Sequence, residues 1–280
     1  MAISRAQLLK ELLPGLNALF GMEYARYDDE HTEIYETESS DRSFEEEVKL
    51  SGFDAAPVKD EGDAISYDAA QESFVARYNH ETIAMGFAIT EEAMEDNLYD
   101  SLSARYTKSL ARAMAHTKQV KAVFPLNNGF TAAYQGGDGV NLFTASGDGV
   151  TGGDGHPLVS GGKNSNRPVT AADLNETSLE AAVIQIGKWT DERGLLIAAR
   201  PKTLVIPPDL QFVATRVMKS ELRPGTADND INAVRSMNII SGGTVVNHYL
   251  TDTDAWFLLT DIPDGMKHFK RVALETSMDG

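Results

Sequence analysis

The chain has 280 residues, 42% hydrophobic and 24% charged, enough apolar sequence for one large domain or two moderate ones and too much for disorder throughout. It contains no cysteine, which excludes a disulfide framework and a thiolate metal site, so stability has to come from packing and assembly. A formal net charge of −17 sets most of the surface against phosphate backbones and argues against specific duplex binding; it suits simple solubility equally with a wall that encloses nucleic acid without sticking to it.

Residues 1–20 mix Arg5, Lys10 and Glu11 with Leu8, Leu9, Leu12, Leu13, Leu16, Leu19 and Phe20. This is an apolar helical stripe interrupted by Pro14, not the continuous apolar core of a signal peptide. No later run approaches the length of a membrane span. Residues 23–41 are strongly acidic, with Tyr24, Tyr27, Ile34 and Tyr35 spread through them, and read as an extended arm of the kind that lies on a neighbouring subunit. From 44 to 89 the pattern is a long hairpin. A first run passes through Phe44, Val48 and Leu50, a turn-rich middle holds Gly52, Pro57 and Gly62, and a second run alternates through Phe74, Tyr78, Ile83, Met85, Phe87 and Ile89. Unbroken, that second run would extend ~60 Å at about 3.3 Å per residue, so the ribbon is expected to project from its own domain and to be covered by another subunit.

Thr90, followed by Glu91 and Glu92, caps a helix expected to run to Phe124, where Pro125 stops it. Its stripe is Met94, Leu98, Leu102, Tyr106, Leu110, Met114, Val120 and Phe124. At about 1.5 Å per residue it is ~50 Å long, a spine rather than one layer of a bundle, and the dominance of fours over heptad alternation argues against a coiled coil. Two glycine-rich stretches, 135–140 and 146–155, lead to a helix over 178–189 with Leu179, Val183, Ile186 and Trp189 inward. The turn Asp191-Glu192-Arg193-Gly194 closes it. Strands are expected at 195–198 and 204–206, a helix at 209–219, a polar loop to Ser236, and strands at 239–249 and 255–260. The fold class is α+β, with the second half a mixed α/β domain.

Several motifs fail on their surroundings. Gly147, Gly149 and Gly152 spell GxGxxG, yet Gly153-Asp154-Gly155-His156-Pro157 follows where a phosphate-binding helix would have to begin. Residues 136–141 resemble one nonapeptide of a calcium-binding β-roll with Asn141 in an acidic position, and 152–157 offers proline in the second, so no array forms. His80-Glu81 starts like a zinc-protease helix, but Ala84 stands where the second histidine belongs. His31, His116, His156, His248 and His268 are scattered without ligand spacing, and there is no GxSxG elbow. Asn175-Glu176-Thr177 is a chance glycosylation match, and Lys59 and Lys163 read as solvated charges rather than crosslinking sites. No catalytic residue, cofactor site or metal site emerges.

The order of elements carries a resemblance, most specifically in His156-Pro157-Leu158, Asn164-Ser165-Asn166, a helix, Asp191-Glu192-Arg193-Gly194 and Leu204-Val205-Ile206-Pro207-Pro208. This succession resembles the major capsid proteins of tailed phages, most closely the head subunits of Mu-like phages, within the Hong Kong 97-like shell fold that encapsulins share. The resemblance implies an N-terminal arm at 1–43, an extended loop at 44–89, a peripheral-domain spine at 90–130, an axial domain at 131–263 and a return to the peripheral domain at 264–280. That last segment resembles the first arm of a hairpin lacking its return strand, which implies a truncated chain or a sheet closed otherwise. The implied function is a structural subunit forming pentamers and hexamers of an icosahedral head around double-stranded DNA. Its partners would be further copies of itself and portal, scaffolding or decoration proteins, with no membrane and no cofactor. Candidate interface residues are Phe44, Val48, Leu50, Phe74 and Tyr78 on the hairpin and Leu8, Leu12, Tyr24 and Tyr27 before it. An encapsulin-like cargo shell and a calcium-dependent surface binder are the rival functions; an enzyme is the weakest, for want of a convergent acid, base or nucleophile.

Overall fold

The computed structural model describes residues 5–90, 99–147, 154–223 and 230–277, with side chains from Pro14 in the first segment and from Leu102 in the second. Helix α1 (Arg5–Tyr24) lies against α2 (Tyr99–Asn128), and both run through a proline, Pro14 and Pro125. Proline removes one i→i−4 hydrogen bond, which is why both were expected to break their helices. At Pro125 the helix continues because Val123 and Leu126 on either side are buried, while Pro125 itself faces out. The expected start of this helix at Thr90–Glu92, with Met94 and Leu98, lies outside the described residues.

The buried face of α2 is not the stripe of large residues. It is Ser103, Thr107, Ala111, Ala115, Gln119 and Val123, every fourth residue, whereas Tyr106, Val120 and Phe124 are 47%, 43% and 39% exposed. Small side chains at the contact let neighbouring elements approach closely, and the larger ones are displaced to its borders.

The segment after α1 packs on its own chain. A 3-10 turn at Glu30–Glu33 leads into β1 (Glu36–Ser39), which pairs in parallel with β9 (Lys267–Lys270). Ile34 and Tyr35 enter a core cluster with Val123, Leu126, Val205, Leu250 and Phe257. Gln119 explains the docking: its Oε1 accepts from the His31 backbone N–H at 3.2 Å, and its Nε2 donates to the Asp28 carbonyl at 3.3 Å and Asp29 Oδ1 at 3.1 Å. Among the described residues the partner of β9 is therefore this N-terminal strand.

The hairpin is present but shorter than expected. Strands β2 (Phe44–Leu50) and β3 (Glu72–Asn79) are antiparallel, with Phe44 opposite Asn79 and Val48 opposite Val75. Since β2 begins at Phe44, nothing remains for residues 80–89 to pair with, and they run without regular structure despite their alternation.

In the second half, β6 (Pro201–Ile206) is the centre of a three-stranded sheet, parallel to β7 (Thr244–Val246) and antiparallel to β8 (Phe257–Thr260). Leu204 and Ile206 point into a cluster with Leu174, Leu179, Ala214, Val217, Val234 and Ile240, whereas Val205 joins the cluster that holds the end of α2. Strand alternation thus lets one strand serve two cores. Helices α3 (Glu176–Ile186) and α4 (Gln211–Lys219) contribute to the first, and α3 begins on a capping box at Asn175, the asparagine of the chance sequon. The strand expected at 195–198 reduces to a single bridge between Thr190 and Leu196, and that expected at 239–249 to Thr244–Val246. The polar loop contains a short helix, α5 (Ala233–Ser236), because Asn232 caps it and also donates to the Val217 carbonyl at 2.6 Å. A two-residue pair, β4 (His156–Pro157) with β5 (Lys163–Asn164), completes the mixed helix and sheet fold.

Candidate assembly surface

The base of the hairpin is tied to its own subunit. Arg77 lies directly across from Glu46, donates to its Oε1 at 2.7 Å and stacks over the Phe44 ring at 4.3 Å. Tyr78 rests on Phe269 with centroids 5.6 Å apart. Lys267 reaches Glu47 at 2.8 Å, Asp264 at 3.1 Å and Glu38 at 3.4 Å, and the first two carboxylates raise its pKa above the ordinary lysine range.

Two further contacts aim the hairpin. The turn after Tyr134 passes so close that a Cβ on Gly137 would sit 2.9 Å from the Val75 carbonyl oxygen, which requires glycine there. On the other side, the Glu192-Arg193 pair forms a clasp. Glu192 is 4% exposed; its Oε2 accepts from the Val159 N–H at 2.9 Å and its Oε1 meets Lys49 Nζ at 2.5 Å. Arg193 donates to the Ala69 carbonyl at 2.8 Å and lies 3.6 Å from Asp54. Beyond this clasp the tip carries Phe53, Val58, Ile65 and Tyr67, exposed by 60%, 95%, 69% and 94%.

The glycine loops have internal employment. Asp138 holds His156 Nδ1 at 2.6 Å, and Asp154 accepts from the Gly147 N–H at 2.5 Å and Lys163 Nζ at 2.6 Å. Residues 148–153, with Gly149 and Gly152 of the GxGxxG, lie outside the described residues, and the flank after them is strand β4 instead of a helix. Among the described residues there is no group of three or more His, Asp or Glu placed to hold a metal, and no helix is long and apolar enough to cross a membrane.

A family model of phage capsid proteins matches residues 75–279, from within β3 through the spine and the sheet domain to β9. The chain belongs to the phage capsid protein family. Its fold is similar to that of the bacteriophage JBD30 capsid, with a TM-score of 0.54 at 13% identity over 79% of this chain and 90% of that one. The JBD30 procapsid gives a TM-score of 0.52 at 15% identity over 89% of this chain and all 100% of that one. The JBD30 capsid decorated with minor capsid protein trimers gives 0.54 at 15%, again over 79% and 90%. No curated protein matches the sequence.

Within this capsid chain the candidate interface residues separate into groups. Phe44, Val48, Leu50 and Tyr78 are exposed on the hairpin, while Phe74 is half-buried beneath Lys49, whose Nζ lies 5.3 Å from its centroid. Tyr24 and Tyr27 are half-buried, and Tyr24 stacks on Phe20 with centroids 6.0 Å apart. The side chains of Leu8 and Leu12 lie outside the described residues. The sequence reading did not single out Phe53, Val58, Ile65 and Tyr67, which are more exposed than most of those it chose. Their signal was present: large apolar residues set singly among Gly, Pro and Asp, where no core can claim them.

Where β1, β9 and α2 meet, His31 and His268 stand edge to face with centroids 5.0 Å apart. Burial and then the Lys118 ammonium hold both imidazoles below their ordinary pKa of 6.5, against an opposing pull from Asp29. The unfolded chain therefore binds these protons more readily than the folded one. The stability that follows is present above the unfolded pKa of about 6.5 and is lost as pH falls through it toward the folded values. The melting temperature of the wild-type subunit is expected to fall over this interval, and that of a His31→Leu variant to fall less. Parallel thermal melts from pH 8 to pH 5 check this; identical slopes would refute it.

Proposed function

We propose that this capsid protein is the major head subunit of a tailed phage with the Hong Kong 97-like shell architecture. It assembles into hexamers and pentamers of an icosahedral head enclosing double-stranded DNA, is built in the host cytoplasm and resides in the virion. The segment 44–89, whose first part is the hairpin, is the extended loop that lies on a neighbouring subunit, 90–130 is the peripheral spine and 131–263 the axial domain. The exposed apolar tip of a hairpin whose base is clasped carries this reading. Val58 and Tyr67 are almost fully exposed, and the clasp at Glu192 and Arg193 holds them out from their own domain. An isolated two-stranded ribbon is marginal in water, and an apolar one invites a partner. Repeated over many subunits, individually weak contacts sum to a persistent closed shell. Decoration by a minor protein is supported by the JBD30 capsid decorated with minor capsid protein trimers. The net charge of −17 suits a lining from which packed DNA is repelled.

The experiment is electron microscopy of the purified chain beside a Val58→Ser, Ile65→Ser, Tyr67→Ser variant. Wild type is expected to form shells, tubes or capsomers, and the variant to remain unassembled with an unchanged melting temperature, since exposed positions contribute little to folding. A variant that assembles normally would exclude the hairpin as the contact. Protein cargo in place of DNA inside particles from infected cells would favour an encapsulin-like compartment.

A further inference from the structure

Four of the chain's six histidines gather on one short stretch, residues 28–40, which carries the 3-10 turn and β1. His31 lies within it, 1% exposed, and stands edge to face with His268 of β9, whose Nδ1 lies 3.5 Å from Thr37 Oγ1. His248 holds Glu30, with its backbone N–H donating at 2.8 Å and its Nδ1 at 2.7 Å. His80 Nε2 meets Ser40 Oγ at 2.9 Å; because that hydroxyl donates to Glu45 at 2.6 Å, the imidazole is already the donor there.

Acid disturbs the His31–His268 pair most. Charged groups reach it from three elements: Asp29 from its own turn, Lys118 from α2 and Lys270 from β9. Asp29, the one carboxylate among these, is already engaged, with Lys118 Nζ at 2.8 Å on one oxygen and Gln119 Nε2 at 3.1 Å on the other. His31 Nδ1 is 3.9 Å from Asp29 and has no hydrogen-bond partner among the described residues. Two imidazolium rings 5.0 Å apart beside an ammonium would share that single carboxylate in a site largely closed to water. Separation of the segment from α2 and β9 restores their hydration. The other two histidines oppose this weakly: His248 is 66% exposed, so water screens its pair with Glu30, and His80 donates to Ser40 in either protonation state.

We propose that His31 and His268 form a proton-operated latch on residues 28–40, closed when both rings are neutral and opened by their protonation while the core around Leu204 stays folded. Ile34 and Tyr35, buried against Val123, Leu126 and Phe257, keep the segment closed at neutral pH. The strand itself resists little: β1 is four residues long, all four exposed, and is paired with β9. The segment runs between α1 and β2, so it can open as a loop held at both ends, with α1 still packed on α2. Once open, it presents Ile34, Tyr35 and the freed edge of β9, which gives the subunit a second conformation at mildly acid pH.

Hydrogen exchange of the full-length, unassembled subunit, corrected for intrinsic exchange rates, tests the latch. Each of the two histidines shifts the opening equilibrium by up to about tenfold per pH unit below its ordinary value of 6.5. Protection at the Glu36 and Ser40 amides, which donate to the Met266 and Lys270 carbonyls, is therefore expected to fall at least about tenfold from pH 7.5 to pH 5.5. The Leu204 amide, which donates to the Gly243 carbonyl, should keep its protection. His268→Gln, at a half-buried position, should cut the fall at β1 to about threefold, and His31→Gln with His268→Gln should abolish it. Lys118→Met leaves Asp29 free to pair with a protonated His31 and should also shrink the fall. Equal protection at both pH values, a fall in His268→Gln and Lys118→Met as large as in wild type, or a parallel fall at Leu204, which would mean global unfolding, overturns the inference. If the double variant does not fold, the two single variants decide. Assembly plays no part in this measurement, so its failure leaves the capsid reading untouched.

Discussion

Truncation of Leu204 to alanine is expected to lower the unfolding free energy of the unassembled subunit by about 2–5 kcal/mol, near the upper end of that range for a buried leucine. Leu204 is fully buried on the central strand β6 and packs with Leu174, Leu179, Ile206, Ala214, Val217, Val234 and Ile240. The cost of a cavity depends on how far its walls can collapse, and here they are constrained. Strand β6 is paired on both sides, with Leu204 opposite Thr244 on one and Leu258 on the other. Val205 on the reverse face is locked against α2 through Val123 and Leu126, so β6 cannot shift toward the hole without opening the second core. Urea denaturation of the monomer should show a lower midpoint with an unchanged slope. A loss below about 1 kcal/mol would mean that the two clusters relax independently and that β6 does not couple them.

This strand was also the easiest part of the fold to read in advance. A continuous apolar run ended by Pro207-Pro208 is what a strand covered on both faces has to look like. The spine helix was legible as a helix but not in its orientation. Its contact face is built from Ser103, Thr107, Ala111, Ala115 and Gln119, which no hydrophobic pattern selects, while Tyr106 and Phe124 drew attention to its flanks. Residues 23–41 read as an extended arm because their composition is acidic. What docks them is Gln119, distant in sequence and polar, satisfying their backbone and carboxylate groups. The second hairpin strand was read too long because alternation records which residues could line a face, whereas a strand also needs a neighbour, and β2 offers none beyond Phe44. The Asp191–Gly194 turn was noticed as part of a resemblance. Its role needed Lys49, Asp54 and Ala69, which only the folded hairpin brings to it.

Replacement of Glu192 by alanine is expected to cost about 1.5–3 kcal/mol and to free the hairpin. The carboxylate makes a charge-assisted hydrogen bond from the Val159 N–H and an ion pair with Lys49, whose own side chain is 48% exposed. Solvent screens much of the pair, so the bond to Val159 should dominate the stability change. Glu192→Gln separates the two contributions: it keeps an acceptor for Val159 but no counter-charge for Lys49. It should therefore recover most of the stability while leaving the hairpin nearly as mobile as in the alanine variant. The reverse substitution, Lys49→Met, strands a buried carboxylate without its cation and should cost more than removal of a half-exposed lysine normally would; adding Glu192→Gln to it should recover part of that loss. Hydrogen exchange over Phe44–Leu50 and Glu72–Asn79, read beside urea midpoints, checks both arms. Protection of these strands unchanged in Glu192→Ala would show that the Gly137 contact and the Lys267 carboxylate cluster aim the hairpin without the clasp. If protection is lost and the fold persists, assembly should slow in proportion, because a hairpin free to swing samples its docking geometry only part of the time.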